Sequence, residues 1–309
     1  MRKVRFGVAI PWIAENSTQG TEFIQNITRY LESVDKVYES AWFADHLIPN
    51  TEPINLDVPE CLTTISYLLP QHPNLKFGAL VLCNNYRNPA LVAKMSSTLQ
   101  ALSDGRFILG IGAGWHKEEY RQYGYKYPSG RTRVEQLEEA VQIIRMMWRE
   151  DGVTFHGKHY SIEDAYCNPK PDPAPPIVIG GGGEKYTLNV VAKYADWWSV
   201  PPGYHVEKWT HKMNVLANHC DDVGRDFDEI LRSAEWCVAL AGSDEEALEL
   251  AKSSPHSLGS YIIGSPESLV SQIGELIDVG VEYFQLYFTL FPNHEETQTF
   301  ADEVISELS

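Results

Sequence analysis

Short apolar segments alternate along the chain with longer segments in which apolar residues recur every three or four positions. The eight short segments resemble buried strands and comprise residues 5–12, 41–47, 75–83, 106–114, 176–180, 195–201, 230–241 and 282–288. In the longer segment 21–38, Phe23, Ile27 and Leu31 fall on one helical face. Strands that alternate with helices indicate βαβ units and a parallel sheet. Eight such units favour a closed (β/α)8 TIM barrel over an open doubly wound sheet.

The alternation is interrupted between the fourth and fifth strand candidates. Residues 150–175 contain four prolines and show no helical period. We therefore expect an insertion after the fourth β/α unit, built as a hairpin followed by an extended arm. No linker or low-complexity tract divides the remainder, so residues 1–309 are predicted to form a single domain.

Composition narrows the possible partners. The formal net charge is −17 and the basic residues are scattered, which argues against a nucleic-acid partner. Five cysteines without a C-x-x-C pair argue against a disulfide framework or a zinc site. The first apolar run is too short for a signal peptide, and no apolar stretch is long enough to span a membrane. We therefore expect a cytoplasmic protein.

The active site of a TIM barrel lies where the strands end, and two strand ends carry imidazoles. The second ends in Asp45 and His46, which can position a ligand and handle a proton near neutral pH. A capping aspartate and a surface histidine are the alternative interpretation. The fourth strand ends in GIGAG followed by Trp115 and His116, and we interpret its glycines as allowing a flat ring to approach the backbone. Trp115 would form an apolar wall.

Two further strand ends suggest binding rather than catalysis. The third runs into Cys83, which we expect to be a buried structural cysteine because nothing nearby depresses its pKa. The fifth ends in four glycines, Gly180–Gly183, and Glu184 is predicted to open a helix. Free N–H groups at a helix N-terminus bind anions, so this segment predicts a phosphate site. His156 and His159 lack the other ligands that a metal site needs, so no metal site is predicted.

Four blocks of sequence resemble the luciferase-like monooxygenase family. They are WFADHL (42–47), LVLCNNYRNPALVAKMSSTLQALSDGRFILGIGAGWHKEEY (80–120), PPIVIGGGGEKYTLNVVAKYADWW (175–198) and IIGSPESLVSQIGELIDVGVEYFQLYF (262–288). The block 80–120 is similar to oxidoreductases that depend on the deazaflavin coenzyme F420. The resemblance implies a barrel with an insertion after the fourth unit and a homodimer.

The resemblance also implies which residues contact the cofactor. Asp45 and His46 would lie beside the ring, and a bulge in Ala79–Cys83, often with a non-prolyl cis peptide, would support its back face. Phosphate contacts would come from Gly180–Gly183 and Glu184. The predicted cofactor-binding residues are Asp45, Leu80, Val81, Cys83, Ala113, Gly114, Trp115, Gly180, Gly181, Gly182, Gly183 and Glu184. The predicted catalytic residues are Asp45, His46, Trp115 and His116.

The sequence departs from the family's sugar-phosphate dehydrogenases at two positions. Trp115 stands where those enzymes have an acidic residue, and Asn50 where they have an aromatic one. Their acid–base residues therefore do not transfer, and the substrate stays open. The leading hypothesis is hydride transfer between F420 and a small organic substrate. The alternatives are a monooxygenase that uses reduced flavin mononucleotide (FMN) and a non-catalytic flavin-binding protein.

Overall fold

The computed structural model describes residues 4–13, 19–50, 55–254 and 257–308. Within these residues the strands are β1 (Arg5–Ile10), β2 (Ser40–Phe43), β3 (Lys76–Ala79), β4 (Leu82–Cys83), β5 (Phe107–Gly112), β6 (Val153–His156), β7 (Ser161–Ala165), β8 (Ile177–Gly180), β9 (Trp197–Val200), β10 (Leu231–Leu240), β11 (Tyr261–Gly264) and β12 (Tyr283–Phe288).

The helices described are α1 (Thr21–Val34), α2 (Cys61–Leu68), α3 (Pro89–Ser103), α4 (Lys117–Gln122), α5 (Gly130–Arg149), α6 (Thr187–Tyr194), α7 (Val206–Val223), α8 (Asp244–Ser253), α9 (Pro266–Asp278), α10 (Glu295–Thr299) and α11 (Ser306–Leu308). A π-helical turn, Phe300–Ile305, joins the last two. Local sequence sets several of these boundaries. Pro89 occupies the first turn of α3, and the Asn88 side chain caps that helix by accepting from the Ala90 N–H.

Among the described residues, eight parallel strands close into a barrel in the order β1, β2, β3, β5, β8, β9, β10 and β12. Val8 of β1 pairs with Ala41 of β2 on one side and with Leu286 of β12 on the other, which closes the ring. Each predicted strand segment overlaps one barrel strand. The predicted (β/α)8 barrel is therefore confirmed.

Two features of the observed strands differ from the prediction. The third predicted strand is interrupted, with β3 and β4 separated by a cis peptide between Leu80 and Val81. β11 was not predicted. It pairs with β10 from Cys237 onward, on the edge that β9 occupies earlier along the same strand.

The insertion lies outside the barrel. β6 and β7 form an antiparallel hairpin, and an irregular arm follows that contains cis Pro169 and cis Pro173. The hairpin and arm expected for residues 150–175 are therefore present. None of the described helices is both long and apolar enough to cross a bilayer.

Large aromatic side chains fill the barrel interior and give the site its floor. The Trp42 ring lies 5.9 Å from Trp197 and 6.1 Å from Tyr283, measured between centroids, and all three side chains are buried. The Tyr283 hydroxyl also forms a 2.6 Å hydrogen bond with Ser40 Oγ. This packed layer stabilises the barrel.

Candidate active site

A cavity of about 460 Å³ opens at the carboxyl ends of the barrel strands, where TIM barrels carry their active sites. Its lining includes most of the residues predicted from the sequence: Asp45, His46, Leu80, Val81, Cys83, Ala113, Gly114, Trp115, His116, Gly180 and Gly181. Gly182, Gly183 and Glu184 follow this lining along the chain but are not part of it. Asn50, at one of the departures from the sugar-phosphate enzymes, also lines the cavity.

His46 is held by a buried carboxylate. Its Nδ1 lies 3.0 Å from Oε1 of Glu119, which projects from α4 and is 1% exposed. The Trp12 ring packs against the imidazole at a centroid distance of 4.1 Å. A carboxylate on Nδ1 fixes the orientation of the ring and leaves Nε2 for another partner.

Glu119 has two further partners. Its Oε1 accepts a 2.7 Å hydrogen bond from the Leu47 N–H, and its Oε2 accepts one from the Tyr86 hydroxyl. Burial acts to raise the pKa of Glu119, but the hydrogen bonds from His46, Tyr86 and Leu47 outweigh it and hold the pKa below its ordinary value. Glu119 is thus a stable anion that ties α4 to the loop after β2.

Asp45 lines the cavity, but its carboxylate oxygens are bound by protein groups. Its two oxygens accept a bidentate pair of hydrogen bonds from Arg87, at 2.7 and 2.8 Å, and one of them also accepts from the Cys83 N–H at 2.8 Å. Arg87 is shared with Glu60 at the start of α2. The carboxylate therefore joins the loops after β2 and β4, and it sets the backbone from which His46 projects.

Trp115 and His116 form the mouth of the cavity opposite Trp12. Their rings stack at a centroid distance of 5.0 Å, and the edge of Trp115 meets His46 at 5.7 Å. Trp115 is 61% exposed, so a large apolar surface stands open at the entrance. His116 Nδ1 is buried, has no hydrogen-bond partner among the described residues and lies 3.4 Å from Glu119.

His46, His116 and Glu119 place three possible ligand atoms within 4.8 Å of one another. Spacing along the sequence did not reveal this cluster, because His46 follows β2 whereas His116 and Glu119 lie at the start of α4. Both oxygens of Glu119 already accept hydrogen bonds from the protein, and we assign the cluster to hydrogen bonding. His156 and His159 instead contact Ser161 and Glu135 on the insertion and its neighbouring helix.

The strand-end glycines are also required by packing within the protein. A Cβ added to Gly110 would lie 1.8 Å from the Ala79 carbonyl oxygen, and one added to Gly112 or Gly180 would lie within 3 Å of Val81. The bulge that contains Val81 therefore packs against glycines of the adjacent strand β5 and of β8, the next strand along. Their small size is required by this protein contact, whether or not a ring is bound.

The glycine-rich loop retains the features of an anion site. Gly181 donates its N–H to the Ser199 carbonyl, whereas no hydrogen bond from the N–H of Gly182 or Gly183 is found among the described residues. α6 begins at Thr187, which lines the cavity, and not at Glu184 as predicted. The free N–H groups and the helix N-terminus can together hold a phosphate.

The side chain of Glu184 is engaged with α7. Its carboxylate is bound by Lys212 at 2.5 Å and by His211 at 3.0 Å, both on α7. Lys212 also donates to the Gly182 carbonyl at 2.9 Å. These contacts make Glu184 part of the support behind the loop.

Cys83 behaves as a buried side chain. Its Sγ lies 3.1 Å from the Tyr120 hydroxyl, and burial raises the pKa of the thiol to about 11. A thiol with such a pKa is protonated at neutral pH and is a poor nucleophile. All five cysteines of the chain fall in described segments, where they are buried and unpaired.

Glu235 is a cavity residue that sequence reasoning missed. It lies in the middle of β10, faces the cavity and forms a hydrogen bond with Ser199 of β9. Burial raises the pKa of this carboxyl group to about 8. A single carboxylate inside the apolar run LRSAEWCVAL was the available signal. Trp12 and Glu119 were also missed. Trp12 follows β1 at the carboxyl end of the barrel, which was the available signal, whereas Glu119 lies on a helix.

The fold and the cavity define a barrel oxidoreductase site that can receive a flat, phosphorylated cofactor. The model of the luciferase-like monooxygenase family matches residues 4–264, and the chain belongs to that family.

Individual relatives act with different cofactors. The F420-dependent glucose-6-phosphate dehydrogenase of Amycolatopsis mediterranei (strain U-32) is 26% identical, over 92% of this chain and 94% of its own length. The FMNH(2)-dependent dimethylsulfone monooxygenase of Pseudomonas putida is also 26% identical, over 80% of this chain and 77% of its own. An F420-dependent secondary alcohol dehydrogenase, solved with an F420-acetone adduct, superposes with a TM-score of 0.82 at 18% identity, over 99% of this chain and 98% of its own.

Proposed function

We propose that the protein is an oxidoreductase that transfers a hydride between coenzyme F420 and a small organic substrate. The observation that carries this proposal is the His46–Glu119 pair at the mouth of the barrel cavity. An imidazole held on Nδ1 by an anion, with Nε2 left for a partner, is suited to the proton that accompanies hydride transfer. The full-length F420-dependent relative supports the choice of cofactor.

The residues present fit such a cofactor. The N–H groups of Gly182 and Gly183 and the first turn of α6 would hold its phosphate. The bulge at Leu80–Val81 and the glycines behind it would support the ring. When bound, the deazaflavin supplies the two-electron hydride chemistry.

The chain's own groups then have separate tasks. His46 holds or moves a proton at the ring, and Glu119 orients it. Asp45, through Arg87, fixes the loop that carries His46. Trp115 and His116 limit the access of water at the mouth.

Cofactor titration tests this proposal directly. The purified apoprotein would be titrated separately with F420 and with FMN, and binding followed by fluorescence and calorimetry. F420 should bind at least tenfold more tightly, which corresponds to about 1.4 kcal/mol. Tighter binding of FMN, together with oxygen consumption on reduction, would replace the proposal by a monooxygenase. Binding of either without any turnover would favour a flavin-binding protein.

We also propose a cytoplasmic homodimer whose only partner is a small molecule. Five buried, unpaired cysteines suit a reducing compartment, and a net charge of −17 disfavours nucleic acid. Sedimentation at micromolar concentration should give twice the chain mass of 34.9 kDa. A monomer under these conditions would contradict the dimer.

A further inference from the structure

Glu235 lies in a part of the cavity that the proposed function does not yet use. β10 alternates its side chains, so Glu235 and Cys237 both face the cavity, and Tyr287 of β12 lies beside them. Counting round the barrel, β12 and β1 separate this strand from β2, which precedes His46. The cavity therefore has two proton-bearing groups on different sectors of its wall.

The surroundings of Glu235 favour a protonated carboxyl group. Glu235 pairs with Gln285 of β12 and forms a hydrogen bond with Ser199 of β9, and neither of these side chains carries a charge. Burial and the hydrogen bond from Ser199 act in opposite directions on the pKa of Glu235. Burial dominates and raises the pKa to about 8.

The titratable neighbours do not supply a competing charge. Cys237, on the same strand, has its pKa raised by burial to about 12, and burial also raises that of Tyr287 well above its ordinary value. Both are neutral near pH 7. The two other neighbours, Ser199 on β9 and Gln285 on β12, do not titrate.

We propose that Glu235 is a catalytic acid that binds the oxygen of a neutral carbonyl or alcohol substrate and exchanges a proton with it. This inference rests on the proposed hydride transfer and deepens it. In the reducing direction the carbonyl carbon accepts a hydride from the reduced cofactor, and the oxygen accepts the proton of Glu235. Solvent then returns a proton to the carboxylate. In the oxidising direction the alcohol loses its hydroxyl proton to the Glu235 carboxylate and its hydride to the cofactor.

The charges around the cavity favour a neutral substrate. Asp45 is already paired with Arg87 and Glu119 with His46, and Glu235 is uncharged near pH 7. No lysine or arginine is found among the lining residues that the structure describes. An anionic substrate such as a sugar phosphate would thus find no lysine or arginine among them to bind its charge.

The first test needs no cofactor or substrate. Infrared difference spectra of the apoprotein between about pH 6 and pH 9.5 should show loss of a carboxylic-acid C=O band. The band should be absent in Glu235→Gln and retained in Cys237→Ser, its neighbour on the same face of β10. Glu296 is another buried acid, with a pKa raised to about 7, and Glu296→Gln would identify its carboxylic-acid band. If Glu235→Gln leaves every carboxylic-acid band in place, the proposal is overturned.

The second test uses acetone and 2-propanol as probes, with glucose 6-phosphate as the anionic comparison. The rate of acetone reduction by wild type should decline above about pH 8. Glu235→Gln should lower kcat by about 10²–10⁴-fold and abolish this decline. Affinity for F420 should change little, and Cys237→Ser should keep the wild-type pH profile. An active Glu235→Gln with an unchanged profile, or a wild type that prefers glucose 6-phosphate, would overturn the inference while leaving F420 dependence intact. Failure of wild type to bind F420 would instead refute the proposed function.

Discussion

Replacing Glu235 by glutamine should make the apoprotein more stable, and the gain should grow as the pH rises. In the unfolded chain a glutamate loses its proton near pH 4.5, whereas in the folded protein Glu235 keeps it until about pH 8. Between these values the folded state binds a proton that the unfolded state does not. The free energy of unfolding therefore falls as the pH rises through this window and levels off above it.

The structure sets the size of this effect. Each pH unit between the two values corresponds to about 1.4 kcal/mol, which gives an upper limit of about 5 kcal/mol above pH 8. Glu235 is partly accessible from the cavity, where water stabilises the carboxylate. We therefore expect Glu235→Gln to exceed wild type by about 1–3 kcal/mol at high pH and to match it near pH 4.5.

Urea unfolding of the apoproteins at about pH 5, 7 and 9 measures this difference. Glu296 also has a raised pKa, but it is present in both proteins and cancels in the comparison. Cys237→Ser is the matched control. The Cys237 thiol of wild type stays protonated across this range, so the effect of replacing it should not depend on pH. A constant difference between wild type and Glu235→Gln at all three values would refute the reasoning.

Three further substitutions test other parts of the site. His46→Asn should lower turnover, measured by steady-state kinetics, by about 10²–10⁴-fold and change F420 affinity much less. Unchanged turnover would show that His46 has no part in the mechanism. Thr187→Glu, at the first residue of α6, should weaken F420 binding at least tenfold because it adds a negative charge at the phosphate site. Thr187→Ser is the control and should not weaken binding. Fluorescence titration measures both affinities. Equal affinities would contradict the phosphate site. Gly110→Ala should lower the free energy of unfolding, measured in urea, by more than about 3 kcal/mol, because its Cβ would lie 1.8 Å from the Ala79 oxygen. A free energy of unfolding equal to that of wild type would show that the bulge can move.

The choice of Thr187 follows from the structure rather than the sequence. Gly182, in the glycine run itself, is a poorer position for an acidic substitution. A Cβ there would approach the Tyr204 hydroxyl to 2.3 Å, so a substitution would disturb packing as well as charge. Loss of cofactor binding in that variant would not separate the two causes.

The fold was largely predictable because its pattern is repeated. Eight apolar runs separated by helical spacing leave few alternatives to a barrel, and all eight strands are present among the described residues. β11 was not predicted because Tyr261–Gly264 is a four-residue apolar run, which is too short to distinguish a strand from part of a helix. The helix start at Glu184 was wrong by three residues, since a glycine run gives no cap that fixes the boundary.

The candidate site was predictable only where it coincides with strand ends. Asp45, His46 and Trp115 follow strands directly, and the rule for barrels finds them. Glu119 lies one turn into a short helix, and nothing in the sequence shows that this helix folds back over His46. The partner of Asp45 is likewise forty-two positions away, on the loop after β4.

The three carboxyl groups of the cavity show why protonation could not be predicted from the sequence. Asp45 forms an ion pair with Arg87, and Glu119 accepts from His46, Tyr86 and a backbone N–H that together lower its pKa. Glu235 faces only neutral groups, and burial therefore dominates and raises its pKa. Each partner comes from a different element, so chemically similar side chains acquire opposite states only when the barrel closes. One anion that steadies His46 and one neutral acid that can give a proton are what a two-electron reduction of a carbonyl requires from the protein.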